Sequence, residues 1–271
     1  MSSMELNGEE FSRLRDFLDA EAARINNIGF IDNDPVQFPR RFSRLQDVEL
    51  VSFLSATIAW GNRKMICNNC EKMLSMMEGD PVGYVMDGAY EQLPDGLNIH
   101  RTFFVRNFKY MLRGFRAIFE KYGSLHDFAA HFDVGGSDAP SWRLVELMQD
   151  EFAGANGGLR DSRCLPGQLA TTALKRVNMA LRWLVRNDGI VDMGVWTCIK
   201  PSQLFIPLDV HVGDTARALG LVSRRANDRR TVEELTGVLR QMRPADPVVY
   251  DFALFGIGIG DKYLGPSVVD N

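Results

Sequence analysis

Cysteine is scarce in this chain of 271 residues. Its four thiols, Cys67, Cys70, Cys164 and Cys198, are too few to staple a protein of this length, which excludes the disulfide-framework class and agrees with a reducing compartment. Cys67 and Cys70 form a CxxC, but it lies inside a helical pattern, and buried, inert thiols explain it better than a metal site. Long apolar runs are missing too. No stretch approaches the roughly eighteen residues that a membrane span needs, and the opening MSSMELNGEEFSRLRDF lacks the basic-then-apolar order of a secretory signal. The expectation is a cytoplasmic protein with no membrane partner. Strand alternation is absent as well: the best candidate, Ser202 to Leu208, is short and broken by Pro207.

What is present is helical periodicity. Apolar residues make up 45% and charged residues 24% of the chain, enough for one large domain or two closely packed lobes. The pattern predicts an all-α fold, with helices near 8–25, 47–60, 63–78, 103–122, 141–153, 171–187, 209–220, 231–242 and 247–256. Asn7 with Glu10 and Thr231 with Glu234 have capping-box spacing. Asp246 before Pro247 places a cap residue ahead of a proline at the first helical position.

The net charge of −4 by itself argues against a nucleic-acid partner. Its distribution does not. From Arg160 to Arg230 there are twelve Lys and Arg against six Asp and Glu, a local +6 that leaves −10 for the rest. Charge segregated this way can give an acidic protein a basic face. Arginines scattered over solvated helix surfaces are the alternative.

Two segments stand out as chemistry. In LKRVNMALRWLVR, residues 174–186, Leu174, Val177, Leu181, Leu184 and Val185 form an apolar stripe. Lys175, Asn178, Arg182 and Arg186 follow one another at helical spacing off that stripe. Read alone, they are a solvated face. In PLDVHVGDTARALGL, residues 207–221, Asp209 sits where the N-cap of the next helix belongs, and the orphan amides and helix dipole favour negative charge there. Capping accounts for Asp209 by itself; a carboxylate facing a lysine amine would also suit the cleavage of a glycosidic bond.

At these residues the chain resembles the helix-hairpin-helix DNA glycosylase superfamily, which includes endonuclease III and the archaeal 8-oxoguanine glycosylases. It is most similar to a bacterial branch sharing the KR-N-LRW and PLDVH strings. Pro207 to His211 with Ala216 to Leu221 is similar to the superfamily's aspartate segment, Glu49 to Ile66 to its first barrel helix and wedge turn, and Pro247 to Gly256 to its last core helix. The likeness spans about residues 47–257. It implies two packed helical lobes with a cleft between them, one of about 47–199 carrying a degenerate hairpin (LPGQLATTALK), the other of about 1–46 plus 200–271. Lys175 would match the nucleophilic lysine and Asp209 the catalytic aspartate. Trp60, Asn62 and Arg63 would fall at the wedge turn; for Trp60 a core position is the competing reading. Arg176, Arg182 and Arg186, with Asn178 and His211, would contact DNA. No cysteine follows Cys198, so the iron–sulfur cluster of endonuclease III is not expected, nor is any other cofactor.

The resemblance therefore implies a monomeric DNA N-glycosylase with AP-lyase chemistry, acting on a nucleotide flipped from the duplex, on a lesion such as an oxidised purine. A protein of the same fold that binds abasic or distorted DNA without turnover is the alternative, and a helical protein with no nucleic-acid role is a third.

Overall fold

A computed structural model of the protein describes residues 8–260. Twelve α-helices are formed among them: α1 (Gly8–Ile25), α2 (Ile28–Ile31), α3 (Leu45–Thr57), α4 (Arg63–Met76), α5 (Pro81–Asp87), α6 (Val105–Tyr122), α7 (Leu125–His131), α8 (Pro140–Ala155), α9 (Lys175–Val185), α10 (Val210–Ala218), α11 (Arg229–Met242) and α12 (Tyr250–Ile259). The fold is all-α save for one antiparallel hairpin, β1 (Asn98–His100) with β2 (Phe103–Phe104), which the sequence reading does not anticipate. Its strands are too short for alternation to register. The short helices α2, α5 and α7 escape the reading for a similar reason, since two turns or fewer carry little periodic signal.

α3 is the central helix. Every residue from Asp47 to Thr57 is buried, and α9, α5 and α6 pack around it. α6 carries α8 and α7 on its other faces, while α1 and α10 both lie against α12. Close approach of α10 to α12 depends on Gly258, where a Cβ would stand 3.0 Å from the His211 carbonyl oxygen and 2.8 Å from Thr215 Oγ1. That glycine draws the mouth of α10 onto the last helix. α9 buries Val177, Leu181, Trp183 and Leu184 against this core, each worth roughly 2 kcal/mol when withdrawn from water.

Several helix starts carry side-chain caps, and two starts differ from expectation. Asn7, the cap expected for α1, lies outside the described residues. α11 begins at Asp228, whose carboxylate accepts from Thr231 N at 3.0 Å. Thr231 is thus inside the helix, because an aspartate three residues earlier competes for the same amide. Asp246 makes no side-chain cap bond; its carboxylate is taken by Arg186 Nε at 2.9 Å.

The helix expected at 171–187 is shorter and starts at Lys175. Residues 165–174 run as turns, held from outside: Trp142 Nε1 donates to the Thr172 carbonyl at 3.1 Å, and Arg229 N to the Thr171 carbonyl at 2.9 Å. Partners from α8 and α11 take the groups that a longer helix would have used.

Candidate functional site

Lys175 and Asp209, 34 residues apart in sequence, line the same cleft. Its volume is about 890 Å³, within the roughly 300–1,000 Å³ of small-molecule sites. The wall is built from the turn between α3 and α4 with the start of α4, one face of α9 from Lys175 to Arg182, the first turn of α10, and one face of α12.

Each of the two side chains stands at a helix N-terminus. α9 opens directly on Lys175, and the residue before it, Leu174, is buried with φ 52° and ψ 33°. A branched aliphatic residue in the left-handed region costs on the order of 1 kcal/mol. The strain fixes where the lysine leaves the backbone. Half-buried Lys175 reaches the Ala59 carbonyl, its Nζ 3.4 Å away. Asp209 caps α10: Oδ1 accepts from Val212 N at 3.0 Å, leaving Oδ2 without a protein hydrogen bond among the described residues. Asn227 Nδ2 braces the Asp209 carbonyl at 3.3 Å. His211 is exposed on the first turn of α10, also lining the cleft, with its ring edge-on to Phe255.

The three residues expected at a wedge turn, Trp60, Asn62 and Arg63, lie in the cleft wall. Trp60 is half-buried, edge-on to His100 with ring centres 4.6 Å apart, and Arg176 sits over its face at 5.6 Å. It is thus neither a core residue nor free. Gly61, with φ 103°, is in a conformation that favours glycine, and the end of the Arg101 side chain lies over it, Nη1 2.7 Å from where a Cβ would stand. Asn62 is exposed and caps α4 by accepting from Met65 N at 3.3 Å. Arg63 pairs with Asp34 at 3.1 Å and stacks over Phe30 and Phe255.

The expected phosphate-binding face of α9 is not on the surface. Asn178, Arg182 and Arg186 are 1%, 3% and 3% exposed. Arg182 is bound to Asp192 and Asp251, and Arg186 to Asp188, Asp192 and Asp246. Both guanidinium groups also lie over the Phe252 ring. Burial opposes their charge, but the surrounding carboxylates outweigh it and raise both arginines. Asn178 donates to the Ala173 carbonyl at 3.1 Å. Arg176, half-buried, places Nη1 on the carbonyls of Thr57 (2.8 Å) and Arg163 (3.0 Å). None of the four is free to take a phosphate: four aspartates from the 188–192 loop and the α12 region hold Arg182 and Arg186, and backbone carbonyls hold Asn178 and Arg176.

Asp251 is the cleft residue that sequence reasoning passed over. It is 6% exposed and lines the cleft. Burial pushes its carboxyl up to about 6, with Asp209 pushing the same way and Arg182 and Lys175 opposing. A signal existed: it is the lone charge in the otherwise apolar YDFALFGIGI of α12. Thr102, Ser162 and Arg163, also in the wall, carry no comparable signal.

A family model described as a protein of unknown function, DUF2400, matches residues 34–260. The chain belongs to that family. The match takes in every cleft residue except Phe30. No curated protein and no solved structure matches the chain.

Proposed function

We propose that this DUF2400 protein is a DNA glycosylase with AP-lyase activity, built as two helical lobes around a cleft that receives one extruded nucleotide. One observation carries the reading: an amine from α9 and a carboxylate from α10 line a single cleft of about 890 Å³. Extrusion is required because the sugar carbon is out of reach in a stacked duplex.

In the proposed reaction, Lys175 Nζ as the free amine attacks C1′ of the flipped nucleotide. The N-glycosidic bond breaks and its electron pair leaves with the base, which takes up a proton. Asp209 faces the cationic character that develops on the sugar; electrostatic stabilisation of this kind is commonly the largest catalytic contribution. Ring opening gives a Schiff base on Lys175, from which loss of a proton at C2′ expels the 3′ phosphate. Water then releases the sugar remnant and regenerates the amine.

Borohydride trapping on duplexes carrying an abasic site or an oxidised purine tests this. A covalent adduct is expected, abolished in Lys175→Ala and diminished in Asp209→Asn. An adduct that survives Lys175→Ala, or none across the lesion panel, overturns the enzyme. The second reading is a non-catalytic binder of distorted DNA, favoured by the fact that the Val212 cap bond already accounts for Asp209. Tight binding without any adduct is its signature.

A further inference from the structure

With the arginines of α9 covered, a DNA-binding cleft needs its cations elsewhere, and one region of the wall supplies them. Three loops meet at the rim: the turn Ile58 to Asn62, the hairpin loop Arg101–Thr102, and the turn Asp161 to Cys164. We propose that this three-loop rim is a phosphate clamp for the DNA strand flanking the extruded nucleotide, with Arg101 and Arg163 as its charged contacts. The proposal rests on the DNA reading above.

The loops are braced to one another. His100, fully buried, joins the hairpin to the first turn through Nε2, 2.9 Å from the Trp60 carbonyl. Its Nδ1 faces the Asn69 amide at 2.9 Å. Burial lowers this imidazole, which suits a neutral ring that accepts at Nδ1 and donates at Nε2. Asn107, 1% exposed, joins the hairpin to the third loop. Its Oδ1 accepts from Phe104 N at 2.8 Å while its Nδ2 donates to Asp161 Oδ2 at 2.5 Å. Asp161 Oδ1 in turn accepts from Arg163 N at 2.9 Å. Arg176 closes the ring by holding the carbonyls of Thr57 and Arg163 together.

On this rigid frame the outward groups are unspent. Arg101, Thr102, Ser162 and Arg163 are all exposed, and neither arginine forms an ion pair or side-chain hydrogen bond among the described residues. Asp161, the acid within the third loop, has both oxygens occupied by amides. Arg101 also has φ 50°, a conformation costing on the order of 1 kcal/mol for a residue with a side chain. Glycine or asparagine would relieve that strain. The turn keeps an arginine instead, and its guanidinium lies over Gly61 at the cleft edge. Strain kept at a site edge, unpaired cations and a pre-ordered backbone together fit a polyanion that arrives from outside.

Fluorescence anisotropy on a short duplex with one abasic-site analogue, across a salt series, tests the clamp. Arg101→Gln/Arg163→Gln should bind about tenfold or more weakly at moderate salt and lower the slope of log affinity against log salt by about two. Arg101→Lys/Arg163→Lys should keep the slope, and Lys121→Gln/Lys200→Gln, equal in charge loss but outside the cleft, should leave it unchanged. Thermal melts check that each variant is folded; if the double Gln variant is not, Arg163→Gln alone should remove about one from the slope. Wild-type binding with an unaltered slope in the Gln variants, or an equal drop in the control pair, overturns the clamp and leaves the DNA reading intact. If wild-type protein shows no salt-dependent binding, the DNA reading itself fails.

Discussion

The two ends of α9 make opposite use of the same kind of residue. At its start, Lys175 reaches open space with one long bond to a carbonyl. Towards its end, Arg182 and Arg186 are buried among four aspartates, with Arg182 still contributing to the cleft wall. Sequence spacing puts Lys175, Asn178, Arg182 and Arg186 on related turns of one helix; the structure keeps the first three on α9 and leaves Arg186 as its extended C-cap residue. What differs is the cover. The 188–192 loop and α12 fold over the C-terminal half, while the N-terminal half faces the gap between α3, α10 and α12. The contrast separates residues that hold the cleft from residues that can act in it.

The sharpest way to break this contrast is Arg182→Ala. Removing one partner of a buried ion cluster leaves uncompensated charge, and the expected loss is about 3–5 kcal/mol in urea denaturation. The defect should shrink in mild acid, as the orphaned Asp251 and Asp192 take up protons. A loss below about 1 kcal/mol would mean that the cluster does not stabilise α9.

Next in size is the titration of Asp251. Burial, reinforced by Asp209 and opposed by Arg182 and Lys175, lifts it from 3.8 to about 6. A carboxyl raised on folding binds its proton more tightly in the folded state, so its contribution is most favourable below about pH 4. It is lost as pH rises from 4 to 6, by about 3 kcal/mol for a shift of this size. Wild-type stability relative to Asp251→Asn should therefore fall across that window and level off above it. A gap that widens in favour of the wild type with rising pH would show that Arg182 wins over burial.

Legibility followed the same division. Long helices were readable because ten or more residues of 3.6 periodicity give redundant signal, and α1, α4 and α6 lie within two residues of expectation. Asp209 was readable as an N-cap because capping is local chemistry. Lys175 was readable as lying off the apolar stripe. The fate of Arg182 and Arg186 was not, because it depends on Asp188 and Asp192 folding back and on Asp246 and Asp251 arriving from some 60 residues away. Nor was the rim: Asn107 and His100 are ordinary polar residues until tertiary contacts make them braces. The local +6 of residues 160–230 is partly offset in space, since Asp246 and Asp251 from outside that stretch join Arg186 and Arg182.

Asp209 allows its two roles to be separated at a smaller scale. Asn caps a helix about as well as Asp, whereas Ala forfeits about 1 kcal/mol. Asp209→Asn should therefore keep its stability and Asp209→Ala lose about that amount, with adduct formation impaired in both. Full trapping activity in Asp209→Asn would remove the need for charge and reduce the residue to a cap.

The smallest effect on folding is expected where the chemistry is concentrated. Lys175 contributes a 3.4 Å contact with the Ala59 carbonyl and no ion pair among the described residues. Lys175→Ala should cost less than about 1 kcal/mol, in the range of substitutions that disturb no packing or buried network. Set beside Arg182→Ala, this measures the asymmetry of α9 directly: the two cationic side chains lie two turns apart on one helix. A loss in Lys175→Ala as large as that in Arg182→Ala would place the amine in the structural framework. Loss of the adduct in Lys175→Ala could then reflect unfolding, and a folded Lys175→Arg variant that still fails to trap would be needed to assign the chemistry to the amine.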